Sequence, residues 1–474
     1  MNKHVKRLLL IVPLLIGTVG FLISRECSLF EALFRSVTMY ALNFTDAPPN
    51  FLVEIARWTA PLATASGILM AAAALRERLR SGLRYLRGDS VAVYGPEDER
   101  EQMLAVLGKR GVECGELPPK AHRYVLLDSE ENNLAYYARN RERFGGHPVY
   151  MRCESLPVHA VIGEGVTLFS IEETASRLYW RKHGLYGDAA ASDFDLDIAI
   201  LGFGTLGEEL LLRGLQTNIF SPSQKLRYHV FADCAATLAV HTGLREIGDR
   251  VIAHEEPWYE AATLLSGAKR IIVVEQSEQA QLLRRLHLLL PQAPVSVFLA
   301  GAAQAKLLSE SYGMDCFDWR AEAEKPENVL EDRRYLLAKT INLRYCSLYS
   351  GTAETPENRD AEWKKLDAFT RGSNISAADY HEIRLQMLRT AGLKPDYDSL
   401  APETVELLSE LEHERWCRYH YLNNWRFGDP ENGKRKDPAR RIHADLVSYD
   451  ALTEPEKQKD RDNIRVLLSV PAEN

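Results

Sequence analysis

Residues 198–233 run IAILGFGTLGEELLLRGLQTNIFSPSQKLRYHVFAD, and the fold turns on that stretch. An apolar run, Ile198 to Leu201, meets Gly202, Gly204 and Gly207 in G-x-G-x-x-G spacing, and a helical pattern opens at once with Leu206, Leu210 and Leu211. In a strand-turn-helix unit Gly202 makes the tight turn, Gly204 lets backbone approach a pyrophosphate, and Gly207 lets helix and strand pack closely. The helix start offers unpaired N–H groups to phosphate. A second strand, RYHVF, ends at the acid Asp233. The interlude from Asn218 to Lys225 puts that acid somewhat further past Gly207 than the usual ~20 residues. The candidate nucleotide contacts are therefore Gly202, Phe203, Gly204, Thr205, Leu206, Gly207 and Asp233; glycines kept for packing alone are the alternative.

A chain of 474 residues suggests about three domains. Its net charge of −8 argues against a general nucleic-acid binder, because no excess positive charge is available to displace counterions. Cysteines 27, 114, 153, 234, 316, 346 and 417 are scattered with no C-x-x-C pair, which fits a reducing compartment and no structural zinc.

The amino terminus is strongly apolar. Leu8 to Ile23 carries no charge and follows Lys3, Lys6 and Arg7; at ~1.5 Å per residue it spans ~24 Å, short for a bilayer but workable with snorkelling flanks. A signal peptide is the alternative, although SRECSLF offers no small-x-small cleavage site. Trp58 to Leu75 is a second uncharged run, followed by Arg76, Arg78, Arg80, Arg84 and Arg87. Positive charge flanks the outer ends of both, so the expectation is a two-span transmembrane hairpin with both termini cytoplasmic. Between them, Ser28 to Asn43 has Leu29, Leu33, Val37 and Leu42 at roughly helical spacing, as in an interfacial or re-entrant helix.

From Ser90 short apolar runs alternate with helical stretches, which implies a parallel sheet with crossover helices. HRYVLLDSEENNLAYYARN, from His122, lines up with KRIIVVEQSEQAQLLRRLH, from Lys269: basic residue, apolar strand, acid, polar turn, helix. This is an internal duplication. In the first copy Gly95 is followed by Pro96, Glu97 and Asp98, whose carboxylates repel a pyrophosphate.

A tandem of TrkA-N-like domains behind a membrane hairpin resembles the architecture of potassium channels gated by RCK domains. The resemblance implies regulation by a bound NAD(H) or related nucleotide, and not catalysis; no hydride-transfer apparatus, catalytic residue or metal site is expected. No TVGYG-like filter follows the expected pore helix, where the chain reads TMYALNFTDAPPN, so potassium-selective conduction is not supported.

The last segment, from Leu411, resembles the RyR domain. The matching pieces are His413-Glu414-Arg415-Trp416, Trp425-Arg426-Phe427-Gly428, the polar turn Asp429 to Asp437, His443-Ala444-Asp445-Leu446-Val447, Tyr449, Leu452, Glu456, Lys457, Asp460 and Arg461. The chain thus resembles bacterial RyR-domain-containing membrane proteins with a TrkA-N-like core. Aromatic rings stack on bases and guanidinium groups pair with phosphate or carboxylate. Arg415, Trp416, Trp425, Arg426, His443, Tyr449 and Arg461 are accordingly candidate ligand contacts; arginines that only pair with Glu412, Glu414 and Asp460 are the equal alternative.

The expected organisation is an α/β chain in five parts: a hairpin over 1–88, a degenerate Rossmann-like domain over 89–185, a nucleotide-binding one over 195–325, a helical connector over 326–400 and an RyR domain over 401–474. The expected protein is a sensor in a bacterial inner membrane, with the lipid bilayer, a nucleotide and a second copy (dimer or tetramer) as partners. A ligand-gated channel and a membrane-disrupting effector of nucleotide-signalling anti-phage defence are the alternatives.

Overall fold

The computed structural model describes residues 3–24, 27–43, 50–156, 160, 163, 165–274, 279–299, 307–308, 310–330 and 333–469. The polar turn at 275–278 and most of the segment after the expected pore helix, 44–49, lie outside them. The chain divides into two compact units: residues 1–90 with 119–122, and residues 91–118 with 123–474.

The first unit is three helices, Lys3–Ile23, Leu29–Met39 and Phe51–Leu86. Ser28 and Asn50 cap the second and third by accepting from Glu31 N and Leu52 N. Small residues let the helices approach: a Cβ on Gly20 would lie 2.9 Å from Val53 N. Polar ties cross between them, with Leu14 N donating to the Tyr40 hydroxyl at 3.0 Å and Asn50 Nδ2 to Gly20 O at 2.9 Å.

The two-span hairpin and the inner-membrane placement are not supported. Among the described residues no helix is long and apolar enough to cross a membrane. Leu8 to Ile23 falls short of the ~30 Å hydrocarbon thickness, and Trp58 to Leu75 is rich in alanine and interrupted by Thr59, Pro61, Thr64, Ser66 and Gly67.

The second unit carries two all-parallel sheets. β1 (Val91–Tyr94), β2 (Gly111–Glu113), β3 (Arg123–Leu126), β4 (Val149–Arg152) and β5 (Val166–Phe169) form the first, in the order β2-β1-β3-β4-β5. β6 (Asp195–Leu201), β7 (Lys225–Phe231), β8 (Arg250–Ala253), β9 (Arg270–Val273), β10 (Val295–Leu299) and β11 (Asp315–Asp318) form the second, in the order β11-β10-β9-β6-β7-β8. Renumbered within itself, the second is the doubly wound order of a Rossmann fold, with its switch point between β6 and β9. The first sheet repeats it without a counterpart of β8, and β3 and β9 occupy equivalent places, as the duplicated text requires.

Both sheets bury near-continuous apolar strands, as parallel sheets covered on both faces do. One core links Val91 and Val93 of the first sheet, Ile198 and Ile200 of the second, Trp180 between them, and Tyr380, Leu411 and Leu422 of the carboxy-terminal helices. The carboxy-terminal module has a long helix, Pro402–Leu422, a final helix, Glu454–Leu468, and between them β12 (Arg426–Phe427), β13 (Lys436–Asp437) and β14 (Ile442–His443) in the order β12-β14-β13. The connector holds a helix, Pro356–Lys365, capped by Thr355 with proline in its first turn. The next helix, Ala368–Thr390, is capped by Asp367.

Candidate functional site

The Gly204–Thr217 helix starts directly from the end of β6. Gly202 and Gly204 have φ of 87° and 64°, values that favour glycine. A side chain on Gly204 would meet nothing within 4 Å, so the turn faces open space. Phe203 precedes the helix and no side chain caps it; its first turn also contains no acid. Its leading amides therefore remain available to an anion. Thr205 is exposed, whereas Leu206 packs into the core. A Cβ on Gly207 would press on the Phe203 ring at 3.0 Å, so this glycine makes room for Phe203.

Leu201 pairs with Phe231, which brings the acid at the end of β7 beside the turn. Asp233 is exposed and accepts from Ala235 N at 3.1 Å. The seven predicted contacts thus gather at one strand end. Below them, His229 and His254 join a hydrogen-bonded row across the sheet: Asp197 to His229, His229 to His254 and His254 to Glu256, each at 2.9 Å.

The first copy is closed where the second is open. Glu97, Asp98 and Glu99 fill the first turn of its helix. Arg152, at the end of β4, contacts Glu99 at 3.4 Å and Glu154 at 2.9 Å. Glu324 lies close by, and its carboxyl is pushed up to about 7 by burial and by the charge of Glu99.

A cavity of about 400 Å³ lies against the Gly204–Thr217 helix, lined by Glu172, Glu173, Thr205, Glu209, Arg213 and Tyr419 among others. Burial and Glu173 push Glu209 up to about 7.

The carboxy-terminal helices grip both elements that frame the turn. Arg213, on the glycine-turn helix, donates to Asp379 at 2.7 Å and to Glu173 at 2.9 Å. Arg418, fully buried, donates to Asp249 at 2.5 Å, to Glu414 at 2.7 Å and to Leu215 O at 3.0 Å. On the Asp233 side, Asn424 Nδ2 donates to Val240 O at 2.8 Å and His241 Nδ1 to Leu422 O at 2.7 Å. Gly243 allows this contact, because a Cβ there would collide with the Tyr421 carbonyl.

Within the module the predicted ligand residues divide. Arg415 is buried and its guanidinium is held by Glu412 at 2.8 Å, on the carboxylate that Arg384 reaches at 2.6 Å. Arg461 pairs with Glu406 at 2.8 Å and with Glu454, and the Tyr449 hydroxyl donates to Glu406 at 3.1 Å. These three are committed to internal partners. Trp416 and Trp425 cluster with His420 and His443: Trp416 lies 4.0 Å from His420 and 4.8 Å from His443, and Trp425 lies 5.3 Å from His420. Burial lowers His443 to about 4, with Lys436 and Arg435 adding to the effect, so at neutral pH its Nδ1 accepts from Asp445 N. Arg426 is exposed on β12. Of the expected acid partners, Glu412 takes Arg415 and Glu414 takes Arg418, whereas Asp460 pairs with His413 and not with an arginine.

Residues 398–471 match the RyR domain family model. Comparison with curated proteins gives no match. Among solved structures, a mutant of GsuK aligns over 70% of this chain and 98% of its own at 13% identity, with a TM-score of 0.35. A dipicolinate synthase chain from Bacillus halodurans aligns over 52% and 93% at 11% identity, with a TM-score of 0.23. L-tryptophan dehydrogenase from Nostoc punctiforme aligns over 71% and 88% at 11% identity, with a TM-score of 0.25. Nothing in the sequence announces that the RyR helix closes on the second sheet, since Asp249, Asp379 and Arg213 carry no motif.

Proposed function

We propose that the protein is a nucleotide-responsive regulator, not an enzyme. Its second Rossmann-like sheet binds NAD(H) or a related nucleotide at Gly202, Phe203, Gly204, Thr205, Leu206, Gly207 and Asp233, and its RyR module reads the occupancy of that site. The observation that carries this reading is the open, uncapped start of the Gly204–Thr217 helix beside the exposed carboxylate of Asp233. Phosphate oxygens would accept from the first-turn amides and Asp233 from a ribose hydroxyl. A ligand shifts a protein only by binding its states unequally. Here the elements that would touch the nucleotide are the ones that Arg418, Asn424 and Asp379 hold. The Trp416, Trp425 and His443 cluster with Arg426 is the remaining place in the RyR module for a second ligand.

Calorimetry on the full chain with NAD, NADH, ATP and cyclic nucleotides tests the reading. Binding by at least one, lost in Gly204→Val, is expected. A folded chain that binds none of them removes it.

A further inference from the structure

The Leu29–Met39 helix is built inside out. It turns Ala32, Ser36 and Met39 toward its neighbours, while Leu29, Phe30, Leu33, Phe34 and Val37 face outward. Phe30 is 84% exposed and Phe34 64%. The third helix shows the same inversion, burying Val53, Ala56 and Ala60 while leaving Phe51 and Trp58 78% and 74% exposed.

We propose that this face is covered by a second copy of the same unit, so that the chain self-associates through residues 29–39. Area decides the scale. An aromatic side chain covers ~150–250 Å² when fully buried; weighted by exposure, Phe30 and Phe34 of the Leu29–Met39 helix with Phe51 and Trp58 of the third come to ~450–750 Å² over the two helices, before Leu29, Leu33 and Val37 are counted. The largest apolar patch on an ordinary monomer is ~300–600 Å², whereas a stable interface takes ~800 Å² from each partner. The stripe is also self-complementary. Its flanking charges, Glu31 and Arg35, satisfy each other at 2.8 Å, leaving an uncharged row that needs no opposite chemistry. Such a patch suits a two-fold contact, in which the same surface meets itself.

Sedimentation of the full chain in aqueous buffer tests this. The wild type should run at no less than twice the 53.6 kDa of one chain. The Phe30→Glu, Phe34→Glu variant should run as a monomer with an unchanged melting temperature, because those rings support nothing inside the unit. A monomeric wild type, or a double variant that keeps the wild-type mass, overturns the proposal. Should the double variant not fold, Phe34→Cys treated with copper phenanthroline should yield a covalent dimer above the wild-type background, and its absence counts equally against. Vesicles of phosphatidylethanolamine and phosphatidylglycerol provide the competing arm. The self-associated form should persist in their presence and not float with them; flotation that dissolves the association would assign the face to lipid and sink the second copy.

Discussion

Gly204 is the residue on which the proposed nucleotide binding rests most directly. Its φ of 64° costs a residue with a side chain about 1–2 kcal/mol, and any Cβ projects into the space a phosphate needs. Gly204→Ala should lower nucleotide affinity at least tenfold by calorimetry while shifting the melting temperature only modestly. Glu324 makes a pH-dependent prediction. Its folded value of about 7 stands above the 4.5 of an ordinary glutamate, so the folded chain binds more protons between those values and stability falls as pH rises through that window. Glu324→Gln never ionises. Thermal melts should therefore show it matching the wild type near pH 4 and exceeding it above pH 7, by about 1–2 kcal/mol after allowance for solvent screening. The glycines and Asp233 are legible in the sequence because the spacing of a phosphate turn is local. Arg384, wholly buried with Nε and Nη1 lacking a hydrogen-bond partner, is not. Nothing in HEIRLQ distinguishes an arginine that meets Glu412 from one in water.

Between elements, the contact of Arg418 with Asp249 joins the RyR helix to the segment ahead of β8. Both side chains are almost completely removed from solvent. Removing one partner of such a pair typically costs about 3–5 kcal/mol, because the other charge is left buried without compensation. Arg418→Met should lower stability in urea titration by about that amount, and Arg418→Met with Asp249→Asn should cost less than the separate losses added together. An additive result would mean the two groups do not act as a pair. The parallel sheets are legible from the alternation of apolar runs with helices, and the duplicated text makes β3 and β9 equivalent; the strand order and the short strands β2, β5, β8 and β11 are not. Spanning helices are misread when absence of charge is equated with hydrophobicity, because alanine, threonine and glycine supply little of it. The Pro356–Lys365 helix is hidden by its polar composition, although Thr355 and Pro356 make an ordinary start signal.

Across the second unit, the glycine turn, the Asp233 loop and the RyR module share one core, so if the proposal holds, occupancy at the first should be felt at the last. Coupling between sites is commonly about 1–3 kcal/mol, or roughly 5–150-fold. Hydrogen exchange of the full chain should then slow on nucleotide addition by a factor in that range at residues 415–424 as well as 204–217. Slowing confined to 204–217 would mean that the RyR module does not register the ligand. The first copy shows what a phosphate turn loses when acids enter it: glycines restored after Gly95 would not by themselves return an anion site there, since Glu97, Asp98 and Glu99 would still crowd the helix start and Arg152 would still be drawn to Glu99.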